Sequence, residues 1–382
     1  MSILCRFLML GFCSIALAGS GTLPAKPRVL KVAVFQGLGA DPECLSDAVE
    51  ALKIDPGIRP EIVTAAEIVR GCLDRFDALV LAGGGGSRQM GNLGTLGQEK
   101  VLDFVRKGGH GVVGLCAGAY MLSDTPDYLC FHLGGVKAID REHDERGHGI
   151  VRFTFTPNTF EVFPEFKGLD QGYMQYFEGP VLVPAPGGKA TAIAVLQSDV
   201  HLKGDAPANM TNGKTFLAWA EAGKGRVFLS VGHPENTPGM RWMVARMVRW
   251  TLRQSLVSYG TNVVRVKRNH AESLFDTQLR AKEQACFETL MAETREGEAE
   301  KKLAAVASLL EMRSWGAKER LTGSLRDREA RVRLAAAEAL VELEHTAALN
   351  DVNAAAATEK DPTIRAALQR CVKGLAAMTH GK

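Results

Sequence analysis

The stretch Gly111-Val112-Val113-Gly114-Leu115-Cys116-Ala117-Gly118-Ala119-Tyr120 decides how the chain is read. Residues 111–115 form a short run without a polar side chain, as in a strand buried on both faces. Glycine stands two residues before and two residues after Cys116, the Gly-x-nucleophile-x-Gly pattern of a strand that turns at once into a helix. Such a turn holds its central residue in a strained backbone conformation, and flanking glycines remove the side chains that would clash. Cys116 is the candidate nucleophile. A helix N-terminus beneath it favours the thiolate, and the Ala117 N–H points to where an oxyanion would form.

Working outward, residues 29–35, 61–63 and 78–82 read as further buried strands, with helical spacing over 42–52 and 97–107. Apolar strands alternating with helices predict a parallel sheet covered on both faces, with ligands at the carboxyl ends of its strands. Gly83-Gly84-Gly85-Gly86 ends one such strand, so Gly84 and Gly85 are candidate second donors to the oxyanion. Strand-like segments continue at 151–155, 180–183, 191–195 and 226–231, and a helix is expected from Thr237-Pro238 to about Gln254. Gly232-His233-Pro234-Glu235 closes the strand at 226–231. His233 suits a base or ion-pair partner for a thiolate, and Glu235 suits the residue that orients it.

The chain has 382 residues, enough for two or three domains, with 46% hydrophobic and 23% charged residues. A net charge of +3 gives no electrostatic reason to expect nucleic acid as a partner. Residues 1–18 have one charge, Arg6, then an apolar run ending in Ala16-Leu17-Ala18, the layout of a signal peptide. The expectation is an exported protein, periplasmic or extracellular, with a leader linker over 19–28 and no stable membrane span after cleavage. Cys44, Cys72, Cys116, Cys130, Cys286 and Cys371 would remain. They lack the spacing of a disulfide framework or zinc site, so buried free thiols are expected.

Beyond 255 the composition changes. A linker helix is expected over 256–296, with a start near Asn269-His270-Ala271-Glu272. Residues 300–311 match 331–342 at an offset of 31, and 363–368 continue the pattern 32 residues on. Periods of this length mean stacked helix pairs, and residues 297–380 resemble HEAT or armadillo-like repeats. Their extended surface suits a protein partner.

Residues 29–255 resemble the class I glutamine amidotransferase-like fold, most nearly the biotin–protein ligase N-terminal-like family. The motifs are 34–39, 81–89, 114–120, Arg146-Gly147-His148-Gly149, Tyr176-Phe177-Glu178-Gly179-Pro180 and 232–235. The resemblance implies a flavodoxin-like parallel sheet, a Cys116–His233–Glu235 triad and an oxyanion hole near Gly84 and Ala117. It also implies a substrate pocket that includes Arg88 and Tyr176, with Tyr120 and Glu178 beside them. Tyr120 stands where glutamine amidotransferases usually carry glutamine, and neither a synthetase nor a biotin ligase catalytic domain follows.

The 141–148 stretch, Arg-Glu-His-Asp-Glu-Arg-Gly-His, matches no tight metal-ligand spacing and reads as an exposed loop. No metal or cofactor is expected. The function that follows is an exported cysteine hydrolase or acyl-transfer enzyme acting on a small amide, ester or peptide-like substrate. It would be neither a complete glutamine amidotransferase nor a biotin ligase. The alternative is a non-catalytic ligand-binding or scaffold protein on the same fold, with the repeats docking a protein partner.

Overall fold

The computed structural model describes residues 28–293 and 298–381. The expected signal peptide and all but the last residue of the leader linker lie outside the described residues. The chain opens as a βαβ succession: β1 (Leu30–Gln36), α1 (Pro42–Lys53), β2 (Ile58–Thr64), α2 (Ala65–Val69), β3 (Ala78–Leu81), α3 (Gly86–Arg106), β4 (Gly111–Leu115) and α4 (Ala117–Leu122). Asp41 caps α1 by accepting from the Cys44 N–H, and Pro42 fits its first turn. Thr64 and Glu67 form a reciprocal capping box at α2.

The middle of the chain is mostly strand. It contains β5 (Val136–Ala138), β6 (His148–Phe155), the short α5 (Thr159–Val162), β7 (Gln171–Phe177), β8 (Leu182–Pro184), β9 (Thr191–Leu196), β10 (Thr215–Ala222) and β11 (Gly225–Ser230). Then come α6 (Trp242–Thr251) and β12 (Ser273–Leu274). All twelve strands join one sheet, whose main path runs β12-β6-β9-β10-β11-β4-β3-β1-β2. The half from β11 to β2 is parallel. Its order, β2-β1-β3-β4-β11, is the flavodoxin-like order of a doubly wound sheet. From β11 outward the pairing turns antiparallel, so the sheet is mixed rather than wholly parallel. The antiparallel half rests on β7 and β10, which the sequence reading missed. Glutamines interrupt the apolar run of β7, and alanines, poor strand formers, fill alternate positions of β10.

The rest is helical: α7 (Thr277–Met291), α8 (Ala299–Met312), α9 (Ala317–Ser324), α10 (Ala330–Glu342), α11 (Leu349–Thr358) and α12 (Pro362–Ala377). The three repeat copies fall on α8, α10 and α12, and α10 packs between the other two. Their buried residues Val306, Leu309, Val332, Leu340, Leu368 and Leu375 form the shared core that one helix pair cannot build alone. The fold is thus an α/β sheet domain resembling the class I glutamine amidotransferase-like fold, followed by an all-α HEAT-like region.

Two helix starts differ from expectation. The 256–296 segment is non-helical up to Thr277, where Asp276 rather than Asn269 supplies the N-cap; its residues Ser273 and Leu274 instead pair with β6. The helix expected from Thr237 begins at Trp242, because Pro234–Asn236 form a 3-10 turn, capped by His233 and Thr237, that carries Glu235. No helix among the described residues is long and apolar enough to cross a membrane.

Candidate functional site

Strand register brings the motifs to one edge. Phe35 of β1 pairs with Leu81 of β3, Leu81 with Gly114 of β4, and Leu115 with Ser230 of β11. The loops after these four strands therefore leave side by side, at the carboxyl edge where such sheets bind ligands. These loops and the first turns of the helices that follow carry Cys44, the Gly83–Gly86 turn, Cys116 and His233.

Cys116 has φ 51° and ψ −106°, a strained backbone for a residue with a side chain. Its N–H donates to the Ser230 carbonyl at 2.8 Å, extending the β4–β11 ladder by one rung before the chain turns. Both flanking glycines are required. A Cβ on Gly114 would lie 2.4 Å from the Gly118 carbonyl oxygen, and one on Gly118 would lie 2.2 Å from that of Leu81. The elbow is thus pressed against its own first helical turn and against β3.

His233 follows β11 and is fixed by its N–H, which donates to the Gln175 carbonyl at 2.8 Å. Its Nδ1 lies 2.8 Å from Glu235 Oε1, and both side chains are buried. Nε2 is buried and has no hydrogen-bond partner. Burial alone would strip the ring of its proton, but the facing Cys116 and Glu235 outweigh it and hold the imidazole's pKa well above the usual histidine range. The Cys116 thiol stops short of a full hydrogen bond to the ring and is turned toward the Phe177 carbonyl, 3.5 Å away. Sites without substrate often show this looser arrangement.

Cys44, expected only as a buried free thiol, belongs to the site as well. It sits in the first turn of α1, with Sγ 3.9 Å from His233 Nδ1. One sequence signal pointed to it: the glycine turn at 37–39 puts it on the same sheet edge as the other motifs. Burial pushes its thiol pKa up strongly, so it remains a neutral thiol beside the imidazole. Cys44, His233 and Glu235 form a Cys–His–Glu cluster with ligand atoms within 4.8 Å of one another, close enough to hold a metal ion. A metal there would have to displace the Nδ1 proton that Glu235 accepts. The 141–148 stretch forms no such group among the described residues. It is only partly the exposed loop expected, since Arg146 and His148 are buried.

The cluster opens into a cavity of about 1110 Å³ lined by Arg88, Tyr120, Tyr128, Phe177, Glu178 and Trp315, among others. Tyr176, expected in the lining, is fully buried behind it. Successive side chains of a strand alternate faces, so Phe177 takes the pocket position and Tyr176 the interior one. There the Tyr176 hydroxyl accepts from Arg146 Nη2 at 2.6 Å, and Arg146 also pairs with Asp140 at 2.7 Å. Tyr120 donates to the same Asp140, so its ring forms a wall anchored in a buried ionic network.

Gly84 and Ala117 both border the cavity. Gly85 borders it too, but its N–H donates to the Gly39 carbonyl at 2.8 Å and is not available to an oxyanion, contrary to the sequence expectation. The six cysteines among the described residues are free thiols, and all but Cys72 are buried.

A family model described as HEAT repeats matches residues 287–373. No curated protein matches the chain. Among solved structures, the chain is similar to a glutamine amidotransferase at 20% identity, with 58% of this chain and 97% of the other covered and a TM-score of 0.40. It is similar to a putative thua-like protein from Parabacteroides merdae at 13% identity, covering 62% and 94%, with a TM-score of 0.45. The glutaminase domain of Trypanosoma brucei CTPS, with bound acivicin, matches at 11% identity over 60% and 96%, with a TM-score of 0.40. At these values the similarities assign no residue a role.

Proposed function

We propose that the protein is a cysteine-dependent hydrolase or acyl-transfer enzyme in which Cys116, not Cys44, is the nucleophile. The observation that carries this reading is the strained Cys116 beside a buried His233 whose outer nitrogen is unpartnered and whose inner nitrogen bonds to Glu235. Cys44 lies on the Nδ1 side, where Glu235 already takes the ring proton, and its own proton is held tightly.

In this reading the Cys116 thiolate attacks a carbonyl carbon of an amide or ester and forms a tetrahedral oxyanion. The Ala117 and Gly84 amides receive that charge. The His233 imidazolium then protonates the leaving amine or alcohol as the C–N or C–O bond breaks, leaving an acyl-Cys116. Water, deprotonated by the now neutral His233, or a second nucleophile releases the acyl group. Glu235 holds the ring in the tautomer this needs. The motifs also support placing the sheet domain with the biotin–protein ligase N-terminal-like family and the protein in an exported compartment.

The test is alkylation with iodoacetamide at pH 6, resolved by site with mass spectrometry. Cys116 is expected to react far faster than Cys44, Cys72, Cys130, Cys286 and Cys371. A Cys116 no faster than Cys72, or a C116A variant that keeps turnover in an amide and ester panel, would reject the reading.

A further inference from the structure

The repeat region supplies part of the catalytic pocket. Trp315 lies in the turn between α8 and α9, inside the 287–373 span that matches HEAT repeats. Its ring centroid is 4.3 Å from that of His233 with the planes at 74°, and 5.9 Å from that of Phe177. All three rings line the one cavity.

The turn that carries Trp315 is anchored on both sides. Gln175 of β7, whose carbonyl fixes the His233 backbone, donates through Nε2 to the Arg313 carbonyl at 2.8 Å. Ser314 donates to Glu283 of α7. Lys318 reaches across to Asp47 of α1 at 2.8 Å, and both side chains are buried. Trp315 is therefore held in place and does not swing as a loose lid. The same β7 residue grips the histidine and the tryptophan turn, so their relative position is set by the fold.

We propose that Trp315 is a positioning and specificity-determining residue of the thiol–imidazole site: its indole restricts the His233 ring, keeps water from the Cys116–His233 pair, and limits the bulk of the acyl group admitted beside Phe177. This rests on the reading that Cys116 and His233 are the reactive pair. The charged and titratable groups facing the imidazole are Cys116, Glu235 and Cys44, and Glu43, Asp47 and Lys318 form a second cluster around α1. None of these is removed when Trp315 is changed. Opposite charges attract more strongly where water is excluded. Loss of the indole therefore weakens the thiolate–imidazolium pair without touching its members.

The experiment uses the full chain and two variants, Trp315→Phe and Trp315→Leu, with Cys116 alkylation followed from pH 4 to pH 9. Trp315→Leu keeps an apolar side chain and so separates the loss of a ring from the loss of packing. The expected result is that Trp315→Leu loses about tenfold in the rate of Cys116 alkylation at pH 6, with a smaller loss at pH 9. Trp315→Phe restores most of it. The rate ratio of N-phenylmaleimide to iodoacetamide should rise severalfold in Trp315→Leu, because the bulky reagent gains the vacated space. If wild-type Cys116 is fast at pH 6 and both variants keep its pH profile and reagent ratio, the inference about Trp315 is overturned while the hydrolase reading stands. If wild-type Cys116 is itself slow, the hydrolase reading falls and takes this inference with it.

Discussion

Lys318 Nζ on α9 lies 2.8 Å from Asp47 Oδ2 on α1, and each side chain is only 3% exposed. Asn236 donates to the same oxygen at 2.7 Å from the turn that also carries Glu235, and His345 stands 3.6 Å from the other carboxylate oxygen. One carboxylate thus ties the sheet domain, the histidine turn and two repeat segments together. Because it is dry, the pair is costly to break from one side only.

Lys318→Met should therefore destabilise the chain by about 3–5 kcal/mol, since Asp47 would stay buried without a countercharge. The Asp47→Asn, Lys318→Met double variant should lose clearly less than the sum of the single losses. Urea unfolding of the four proteins measures both. Burial raises the Asp47 pKa, but Lys318 and the nearby His345 outweigh it and hold the carboxyl well below its ordinary range. The pair's stabilisation is then full above about pH 4 and lost as the pH falls below that value toward the folded pKa.

Glu43 behaves in the opposite sense. Burial raises its pKa to about 7 against the pull of Lys318, and its Oε1 is buried with no hydrogen-bond partner. The folded state therefore prefers the neutral acid. Its cost is absent below the ordinary glutamate range, grows from about pH 4.5 to 7, and is constant above. Glu43→Gln should leave stability nearly unchanged at pH 4 and raise it by about 1–3 kcal/mol at pH 8. Denaturation at the two pH values decides it; an equal effect at both would show that Glu43 does not titrate in this window.

His233→Asn removes the cation that faces Cys116 and should slow Cys116 alkylation at pH 6 by roughly 100-fold. The folded-state pKa of His233 is raised, so its contribution to stability is complete below about pH 6.5 and disappears as the pH climbs through the folded value. The wild-type advantage over His233→Asn in unfolding free energy should accordingly be larger at pH 6 than at pH 10.

Gly118→Ala places a Cβ 2.2 Å from the Leu81 carbonyl oxygen, a backbone atom of a strand in the sheet interior. Relief requires α4 to move off β3, so a loss of at least about 1–3 kcal/mol is expected. Fast Cys116 alkylation should vanish with it, because the elbow would no longer aim the sulfur. A Gly91→Ala control, where no atom lies within 4 Å, should leave both unchanged.

The parts of this architecture legible in the sequence are those written in contiguous residues. The glycines around Cys116 are dictated by contacts within one turn, and His-Pro-Glu places base and carboxylate on another. The repeat shows itself because each copy must bury the same helical face. Cys44 left a weaker trace, since a cysteine in a first helical turn has no spacing to flag it; only the register of β1 against β3 brings it to the imidazole. Tyr176 and Phe177 are adjacent, and the strand's twofold alternation decides which faces the cavity. Trp315 was illegible for a different reason. Its role depends on how two regions of different architecture dock, and no local pattern encodes that.

The short strand β12 pairs Ser273 and Leu274 with Ile150 and Gly149 of β6, so residues beyond 255 complete the sheet as well as the pocket. A recombinant fragment cut at 255 would bare that backbone ladder and uncover the His233 imidazole together, inviting self-association. The two regions are therefore poor candidates for shuffling. Without the residues beyond 255 the sheet lacks a border strand and the pocket lacks a wall.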